Sequence, residues 1–351
     1  MRLKKPTSLL AVLVATALLV TGCTGAQGGQ ADTGSSAGGT TGGATDEFPV
    51  TIEHALGEAT IEEAPERVVT LGWAAEDAVV ALGVIPVAVP AYGWGADDEG
   101  YLPWFRDAVE AMGEPLPETL KAEERSGEVN FEQILGLEPD VILAPFSGIS
   151  EEDYKRLADI APTVAYAEQP WASNWQDLTT TVGQALGRSE QAAELLASTE
   201  KLFAGHASEH PEFDGVSLAY GMGMTEGTSE LTFYFPSDPR VEFVEALGFK
   251  TPQSIIDFAE RSTLGSSDST SLELLGDFDD VDVFLAWAGN DDDKQRTLNN
   301  PLVSIWKPVA DGKDLVLTDP SLVWATSSPT ALNIPWALEN LVPQLAELVA
   351  R

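Results

Sequence analysis

The chain has 351 residues, and 329 remain once a removable leader of 22 is set aside, enough for two α/β lobes of ordinary size and too many for a small stapled scaffold. A formal charge of −37, falling to −40 without the leader's Arg2, Lys4 and Lys5, excludes nucleic acid and anionic lipid headgroups as partners, because both need clustered Lys and Arg. Hydrophobic residues make up 44% with nine Trp, so all but the biased start can build large cores, and the single Cys23 leaves no internal disulfide and no thiolate metal cage.

Arg2, Lys4 and Lys5 precede an apolar run from Leu9 to Val20 that only Thr16 interrupts; its 12 residues are too few to span a bilayer as a helix and right for a secretion signal. The run ends in Leu19-Val20-Thr21-Gly22-Cys23, which resembles the lipobox of bacterial lipoproteins, where the cysteine becomes an acylated N-terminus. Residues 1–22 are therefore read as a signal peptide, and Cys23 as the lipidated residue that holds the protein on the outer face of the cell membrane. Thr24 to Asp46 carries 8 glycines in 23 residues and no aromatic, which makes residues 23–46 a lipid-bearing flexible tether of roughly 25 to 30 Å reach.

From Phe48 onward short β-rich runs alternate with amphipathic helical segments, the pattern of parallel sheets with crossover helices. Val68 to Leu71 reads as a buried strand, Ala75 to Leu82 as a helix closed by Gly83, and Ile85 to Val89 as the next strand. Phe131 to Leu137 is helical, Val141 to Ala144 a strand, Tyr154 to Ile160 a helix and Val164 to Tyr166 a strand; these form an N-terminal lobe, residues 47–172. Residues 173–210 are a helical connector: Trp175 to Leu186 stopped by Gly187, then a long helix capped by Ser189 and running to about His206. The rhythm restarts with Val216 to Tyr220 and ends in a helical stretch from Trp336 to Ala350, expected to kink or restart at Pro343. Phe131-Glu132-Gln133-Ile134-Leu135-Gly136 with Pro139 to Ala144 parallels Leu272-Glu273-Leu274-Leu275-Gly276 with Asp279 to Ala286, so residues 211–351 form a second, similar lobe. The fold class is α/β: two lobes, each with a mainly parallel central sheet flanked by helices, joined by one long helix.

In open α/β sheets ligands sit at the carboxyl ends of the strands, where crossover loops and helix N-termini gather. In the first lobe those ends hold Gly72 and Trp73, Tyr92 and Trp94, and Phe146, Ser147 and Gly148, with Trp171 shortly after the last strand. The second lobe offers Tyr220 with Met222, Trp287 with Gly289, and Trp324. Seven of these are Trp or Tyr at loop starts, where exposing them gains a soluble protein little, and an aromatic cleft between lobes accounts for them. Arg125, Arg261 and Arg296 fall in segments taken to link a strand end to the next helix, where a guanidinium suits carboxylate or catecholate oxygens. Pairing with a neighbouring acid, as of Arg125 with Glu123 or Glu124, is the alternative for each.

Catalytic signatures are mostly absent: no Gly-x-Ser-x-Gly, P-loop or dinucleotide fingerprint occurs, and the three histidines are His54, His206 and His210. His206 and His210 have chelating helical spacing but sit where a solvated helix end is expected, and Asp291 to Asp293 lack the glycine and distal glutamate of a calcium loop. Neither a resident metal nor a cofactor is expected. A secreted hydrolase built on an acid pair is the competing enzyme reading.

The chain from Phe48 resembles the substrate-binding lipoproteins of bacterial ABC importers for ferric siderophores and cobalamin, the long-helix class of periplasmic binding proteins. The residues that carry the resemblance are Pro65-Glu66-Arg67-Val68-Val69, Asn130 to Ile134 with Leu137 to Ile142, Ile160-Ala161-Pro162-Thr163-Val164, and Asn300-Pro301-Leu302; Ala96 to Leu102 is similar to the branch that binds ferric enterobactin. The resemblance implies two Rossmann-like lobes, capture of a ferric siderophore between them with iron entering only as part of that chelate, and delivery to a permease and its ATPase by a monomer. It also implies one exposed glutamate on each lobe for permease arginines, with Glu132 and Glu273 the candidates. Val323 to Ser328 departs from the catecholate pattern, lacking the expected basic residue, so neutral or cationic ferric hydroxamates stay open beside catecholates, as do cobalamin, haem and a zinc or manganese ion.

Overall fold

The computed structural model of the chain describes residues 43–121 and 129–351. It opens on an antiparallel hairpin, β1 (Val50–His54) and β2 (Gly57–Ile61). Then follow β3 (Val68–Thr70), α1 (Ala75–Ala81), β4 (Ala88–Pro90), α2 (Pro103–Ala111), β5 (Glu118–Leu120), α3 (Phe131–Gly136), β6 (Val141–Leu143), α4 (Glu151–Ala158) and β7 (Thr163–Val164). Helices α5 (Trp175–Ala185) and α6 (Ser189–Glu209) lead on to β8 (Leu218–Met222), β9 (Glu230–Tyr234), α7 (Pro239–Glu245), α8 (Gln253–Arg261), β10 (Ser267–Ser271) and β11 (Val283–Trp287). The chain ends with α9 (Asp291–Leu298), α10 (Lys307–Ala310), β12 (Asp314–Leu317), α11 (Pro320–Ser327) and α12 (Asn333–Val349).

Two five-stranded sheets result, ordered β5-β4-β3-β6-β7 and β10-β9-β8-β11-β12, each with its own first strand in the middle. The first is parallel throughout. In the second, β11 and β12 run with β8, whereas β9 runs against both β8 and β10. Two mainly parallel lobes were expected, and α6, with 21 residues and a length of about 30 Å, joins them.

The central strands β3, β6, β8 and β11 form because nearly all their residues are apolar and both faces of the sheet are covered. Side chains alternate: Val68, Val141 and Leu143 pack under α1 and α5 with Val79 and Val182, while Val69 and Ile142 face the other way onto Ile134 and Leu157. In the second lobe Tyr220 and Leu285 meet α12 through Leu338 and Leu341, and Phe233 and Phe284 fill the opposite face. The α12 core extends across the lobes to Trp104 and Phe105 of α2, with Trp104 and Trp336 ring centroids 5.4 Å apart.

Six of the described helices, among them α4 and α5, start from short polar caps. Ser150 accepts from the Asp153 N–H at 3.1 Å, and Asn174 from Asp177 at 2.7 Å. Ser189, expected to cap α6, is instead its first helical residue; the Asp46 carboxylate accepts from both its N–H (3.2 Å) and its hydroxyl (2.6 Å). Thr45 and Asp46 also donate backbone bonds to Gly187, so the end of the segment read as tether is already docked on the body. Helix α12 starts at Asn333 and runs through Pro343 without restarting; side-chain amides of Asn340 and Gln344 donate to Trp336 and Asn340 carbonyls nearby.

Arg67 explains two of the sequence motifs as one unit. Its guanidinium donates to the carbonyls of Leu137 and Glu138, and the Glu66 and Arg67 N–H groups donate to the Asp140 carboxylate at 2.6 to 3.0 Å. This pins the start of β3 to the start of β6. The second lobe repeats the device with Asp282, just before β11, which accepts from Ser217 ahead of β8.

Candidate functional site

After β3 the backbone turns at Gly72, φ +81, where a Cβ would lie 2.3 Å from the Phe146 carbonyl; only glycine fits, and the turn delivers Trp73 at the carboxyl edge of the sheet. Trp94 follows β4, Phe146 follows β6 and Trp171 follows β7. From the other lobe come Trp287, the last residue of β11, and Trp324 of α11. All six line one cavity of about 760 Å³ between the lobes. Trp73 packs on Trp171 (4.9 Å between centroids) and edge-on against Trp324 of the opposite lobe (4.9 Å, 87°), while Trp94 faces Trp287 across the cleft at 6.1 Å. The lobes touch closely at Gly95, φ +80, where a Cβ would come within 2.7 Å of the Trp324 ring, and the Ser321 hydroxyl donates to the Gly95 carbonyl at 2.8 Å. Trp73, Trp94 and Trp171 stay 39 to 48% exposed, an apolar surface of the kind that marks a binding site.

The second lobe adds the polar wall. Asp238 ends the link from β9, caps α7 by accepting from the Arg240 N–H, and takes the Arg240 guanidinium Nη1 on both carboxylate oxygens at 3.0 and 3.1 Å. Arg240 stacks its guanidinium over the Tyr234 ring at 4.2 Å and donates through Nε to the Ser327 hydroxyl at 2.9 Å. Burial raises the Asp238 carboxyl, with Arg240 pulling against it, and burial with the nearby Asp238 and Glu245 charges raises Glu242. Among the described residues, the charged side chains lining the cavity are Asp238, Arg240 and Glu242, two acids and one base.

Beneath the aromatic floor lie two adjacent carboxyls. Glu76 and Asp77, each 2% exposed, open α1. The Tyr92 hydroxyl donates to Glu76 Oε1; Asp77 Oδ2 accepts from Trp104 Nε1 at 2.8 Å and from the Thr330 hydroxyl of the other lobe at 2.7 Å. Desolvation lifts both out of the ordinary carboxylate range, Glu76 to about 8, where the Asp77 charge adds to the effect, and Asp77 to about 7, against its two hydrogen bonds.

Several sequence expectations are corrected. Tyr220 is not at a strand end: β8 continues to Met222, so Tyr220 sits mid-strand, fully buried, with its hydroxyl at 2.9 Å from Thr326 Oγ1 and its pKa pushed up to about 12 by burial. Ser147 is buried with its hydroxyl on the Ala144 carbonyl, facing a separate cavity of about 380 Å³ behind Trp171, and Tyr92 lies under the floor against Trp324 rather than in the main cavity. Arg261 is the last residue of α8, where its Nε donates to the Asp257 carbonyl, and Arg296 lies within α9 paired with Asp293; neither occupies a strand-to-helix link or lines the cavity. Arg125 lies outside the described residues, as does Cys23. The cationic group that does line the cavity, Arg240, was missed together with strand β9; Asp238-Pro239-Arg240, an N-cap followed by proline at the first helical position, was the available signal.

Glu132 and Glu273 are exposed and occupy matching places, Glu132 in the first turn of α3 ahead of β6 and Glu273 in a 3₁₀ turn, Leu272–Asp277, ahead of β11. Leu135 (61% exposed) and Leu274 (51%) stand beside them.

Two sheet-and-helix lobes on either side of an aromatic cleft, joined by one long helix, define a two-lobed solute-binding protein. Residues 68–320 match the family model described as periplasmic binding protein, and the chain belongs to that family. It is 27% identical over 288 residues to the probable siderophore-binding lipoprotein YfiY of Bacillus subtilis (strain 168), covering 79% of this chain and 82% of that one. Over 213 residues it is 26% identical to the ferric enterobactin-binding periplasmic protein FepB of Escherichia coli O6:H1, covering 58% and 62%. The solved structure of PiaA from Streptococcus pneumoniae TIGR4 in complex with ferrichrome superposes with a TM-score of 0.75 at 29% identity, covering 86% of this chain and 99% of that one.

Proposed function

We propose that this protein is the extracytoplasmic substrate-binding component of an ABC importer, capturing a ferric siderophore in the cleft between its lobes and delivering it to a permease and ATPase. It acts as a carrier rather than an enzyme, as a monomer, and is held on the outer face of the membrane through acyl chains on Cys23 after loss of residues 1–22, with residues 47–172 and 211–351 as the lobes. Glu132 and Glu273 are assigned to permease docking. The observation that carries the reading is the aromatic cavity of about 760 Å³, of the size and apolar character that enclose a compact chelate.

The polar wall narrows the chelate class. Asp238 holds Arg240 on two oxygens and Glu242 adds a second acid, so the wall offers directed N–H donors without surplus positive charge. That favours a neutral or cationic ferric hydroxamate over a trianionic ferric catecholate. A thermal-shift screen of iron-loaded hydroxamate, catecholate and citrate chelates, with cobalamin and haem alongside, tests both levels, since a ligand that binds only the native state raises the melting temperature. The largest shift is expected from a hydroxamate chelate; a shift from cobalamin or haem alone would replace the siderophore reading.

A further inference from the structure

The buried acids under the cleft floor have no part in holding a ligand, yet they bridge the two lobes. Asp77 belongs to the first lobe and Thr330 to the second, in the corner between α11 and α12, and the bond between them is 2.7 Å long. Thr330 is itself fixed: its N–H donates to Asn333 Oδ1, its hydroxyl accepts from the Asn333 N–H, and the Asn333 amide donates to the Ser328 carbonyl. Ser328 lines the cavity, and Ser327 and Trp324 line it from the helix just before. On the other side, Glu76 accepts from Tyr92, whose ring packs edge-on against Trp324 at 5.3 Å. Both routes from the acid pair therefore end on α11.

The electrostatics make this arrangement conditional on a proton. Two adjacent carboxylates, 2% exposed, carry a desolvation penalty that their hydrogen bonds to Tyr92, Trp104 and Thr330 offset in part and a proton relieves. The groups facing them come from the turn before α1, the β4–α2 link, α2, α11 and α12: Trp73, Tyr92, Trp104, Trp324, Ser328 and Asn333, of which Tyr92 alone titrates and none is cationic. Glu76 Oε2 and Asp77 Oδ1 take no hydrogen bond from the protein.

We propose that Glu76 and Asp77 are positioning residues for the cleft: a proton held by the pair keeps the Thr330 and Tyr92 bonds in place, and these seat α11 so that Trp324, Ser327 and Ser328 face the ligand. Full ionisation places two charges side by side in a dry site, and the strain is relieved by moving the corner of α11 and α12 away. The inference rests on the ligand-capture reading, whose failure its test separates.

The test combines two readouts from pH 6 to 9 on the full chain. Ferrichrome affinity, followed by Trp quenching, falls about tenfold across the window, the effect of one unit of pKa difference between the seated and displaced states. Spin labels on the exposed positions of E152C and Q253C, one in each lobe, report a change of inter-lobe distance over the same window in ligand-free protein. Glu76→Gln keeps the acceptor for Tyr92 and mimics the protonated acid, so both profiles become flat; Thr330→Val leaves the acids and cuts one of the two routes, the cross-lobe bond, so both steps shrink. A wild-type profile that is flat in both readouts, or a step that survives unchanged in either variant, overturns the proposal. If ferrichrome fails to bind at any pH, the capture reading fails for that chelate, while the distance profile still decides the pin.

Discussion

The two lobes share a strand order and a device, and they differ in one strand. Each sheet places its first strand centrally and ties that strand's start to an aspartate immediately before the fourth, Asp140 in one lobe and Asp282 in the other. In the five-stranded sheet of the first lobe every strand is parallel, all carboxyl ends fall on one edge, and the loops at that edge supply Trp73, Trp94, Phe146 and Trp171. In the second, β9 is reversed, and the links at its end and before β10 bring Asp238, Arg240 and Ser266 to the cavity instead. The division teaches that the aromatic surface of the cavity is shared by both lobes whereas its charged side chains, Asp238, Arg240 and Glu242, come from the second alone, so only the pair encloses it.

The largest effect that can break this comparison concerns the matching outer glutamates. Glu132→Ala with Glu273→Ala abolishes uptake by cells while leaving ligand affinity and melting temperature as in the wild type, because both side chains are exposed and neither lines the cleft; uptake at the wild-type rate removes the docking assignment. Next, Trp324→Ala weakens siderophore binding about a hundredfold, roughly 2.7 kcal/mol, since Trp324 packs on Trp73 and Tyr92 of the opposite lobe as well as on ligand space. Trp94→Ala, with a single aromatic neighbour across the cleft, costs less than about tenfold. Equal losses in a fluorescence or calorimetric titration would mean that the cleft floor is not organised around Trp324.

Stability sharpens the comparison further. Asp140→Ala strands two backbone N–H groups and costs about 2 kcal/mol in denaturant unfolding, whereas Asp282→Ala costs about 1 kcal/mol because it caps a single residue, Ser217, and pairs otherwise with the half-exposed Lys307. The reverse ranking would show that the shared device is not what holds the sheets in register. Asp238→Asn retains the cap on α7 but frees the Arg240 charge, so affinity for a trianionic ferric catecholate rises about tenfold relative to a neutral hydroxamate, and unchanged selectivity contradicts the charge argument. The smallest effect is on pH. Glu76 and Asp77 bind protons more tightly folded than unfolded, so the stability they contribute is complete below the ordinary carboxylate range and is lost as pH rises through about 7 to about 8. The melting temperature therefore falls by a few degrees between pH 6 and 9, and by less in Glu76→Gln; equal slopes in the two proteins would contradict the assignment.

Much of the first lobe was legible because its signals are local. Runs such as Val68 to Leu71 and Val141 to Ala144 are short, almost wholly apolar and bounded by turn residues, and the aromatic residues just after them, Trp73 and Phe146, stood out against the polar loops around them. The second lobe misled at one glycine. Gly221 after Tyr220 reads as a strand stop, yet it lies within β8, where a Cβ would meet the Thr232 carbonyl at 2.4 Å; the glycine admits β9 rather than ending β8. With β9 unread, its exit loop went unread too, and with it Arg240. Tyr220 was misplaced because β8 runs two residues further, to Met222, and Arg261 because it closes α8 rather than lying in a link before a helix. Ser189 failed differently: the group that caps α6, Asp46, lies 143 residues earlier in the chain, beyond any local reading. The motifs that carry the family resemblance proved to be structural in part, since Arg67, Leu137 and Asp140 form the β3–β6 clamp and touch no part of the cleft.

The central claim is that the inter-lobe cavity takes an iron chelate without net negative charge, and one titration addresses it directly: Trp fluorescence of the full chain against ferrichrome, a neutral ferric hydroxamate, and against a trianionic ferric catecholate at neutral pH. Quenching by ferrichrome is expected with a dissociation constant below about 1 μM, near −8 kcal/mol, and binding of the catecholate at least about tenfold weaker. Tight binding of the catecholate with no response to ferrichrome would contradict it.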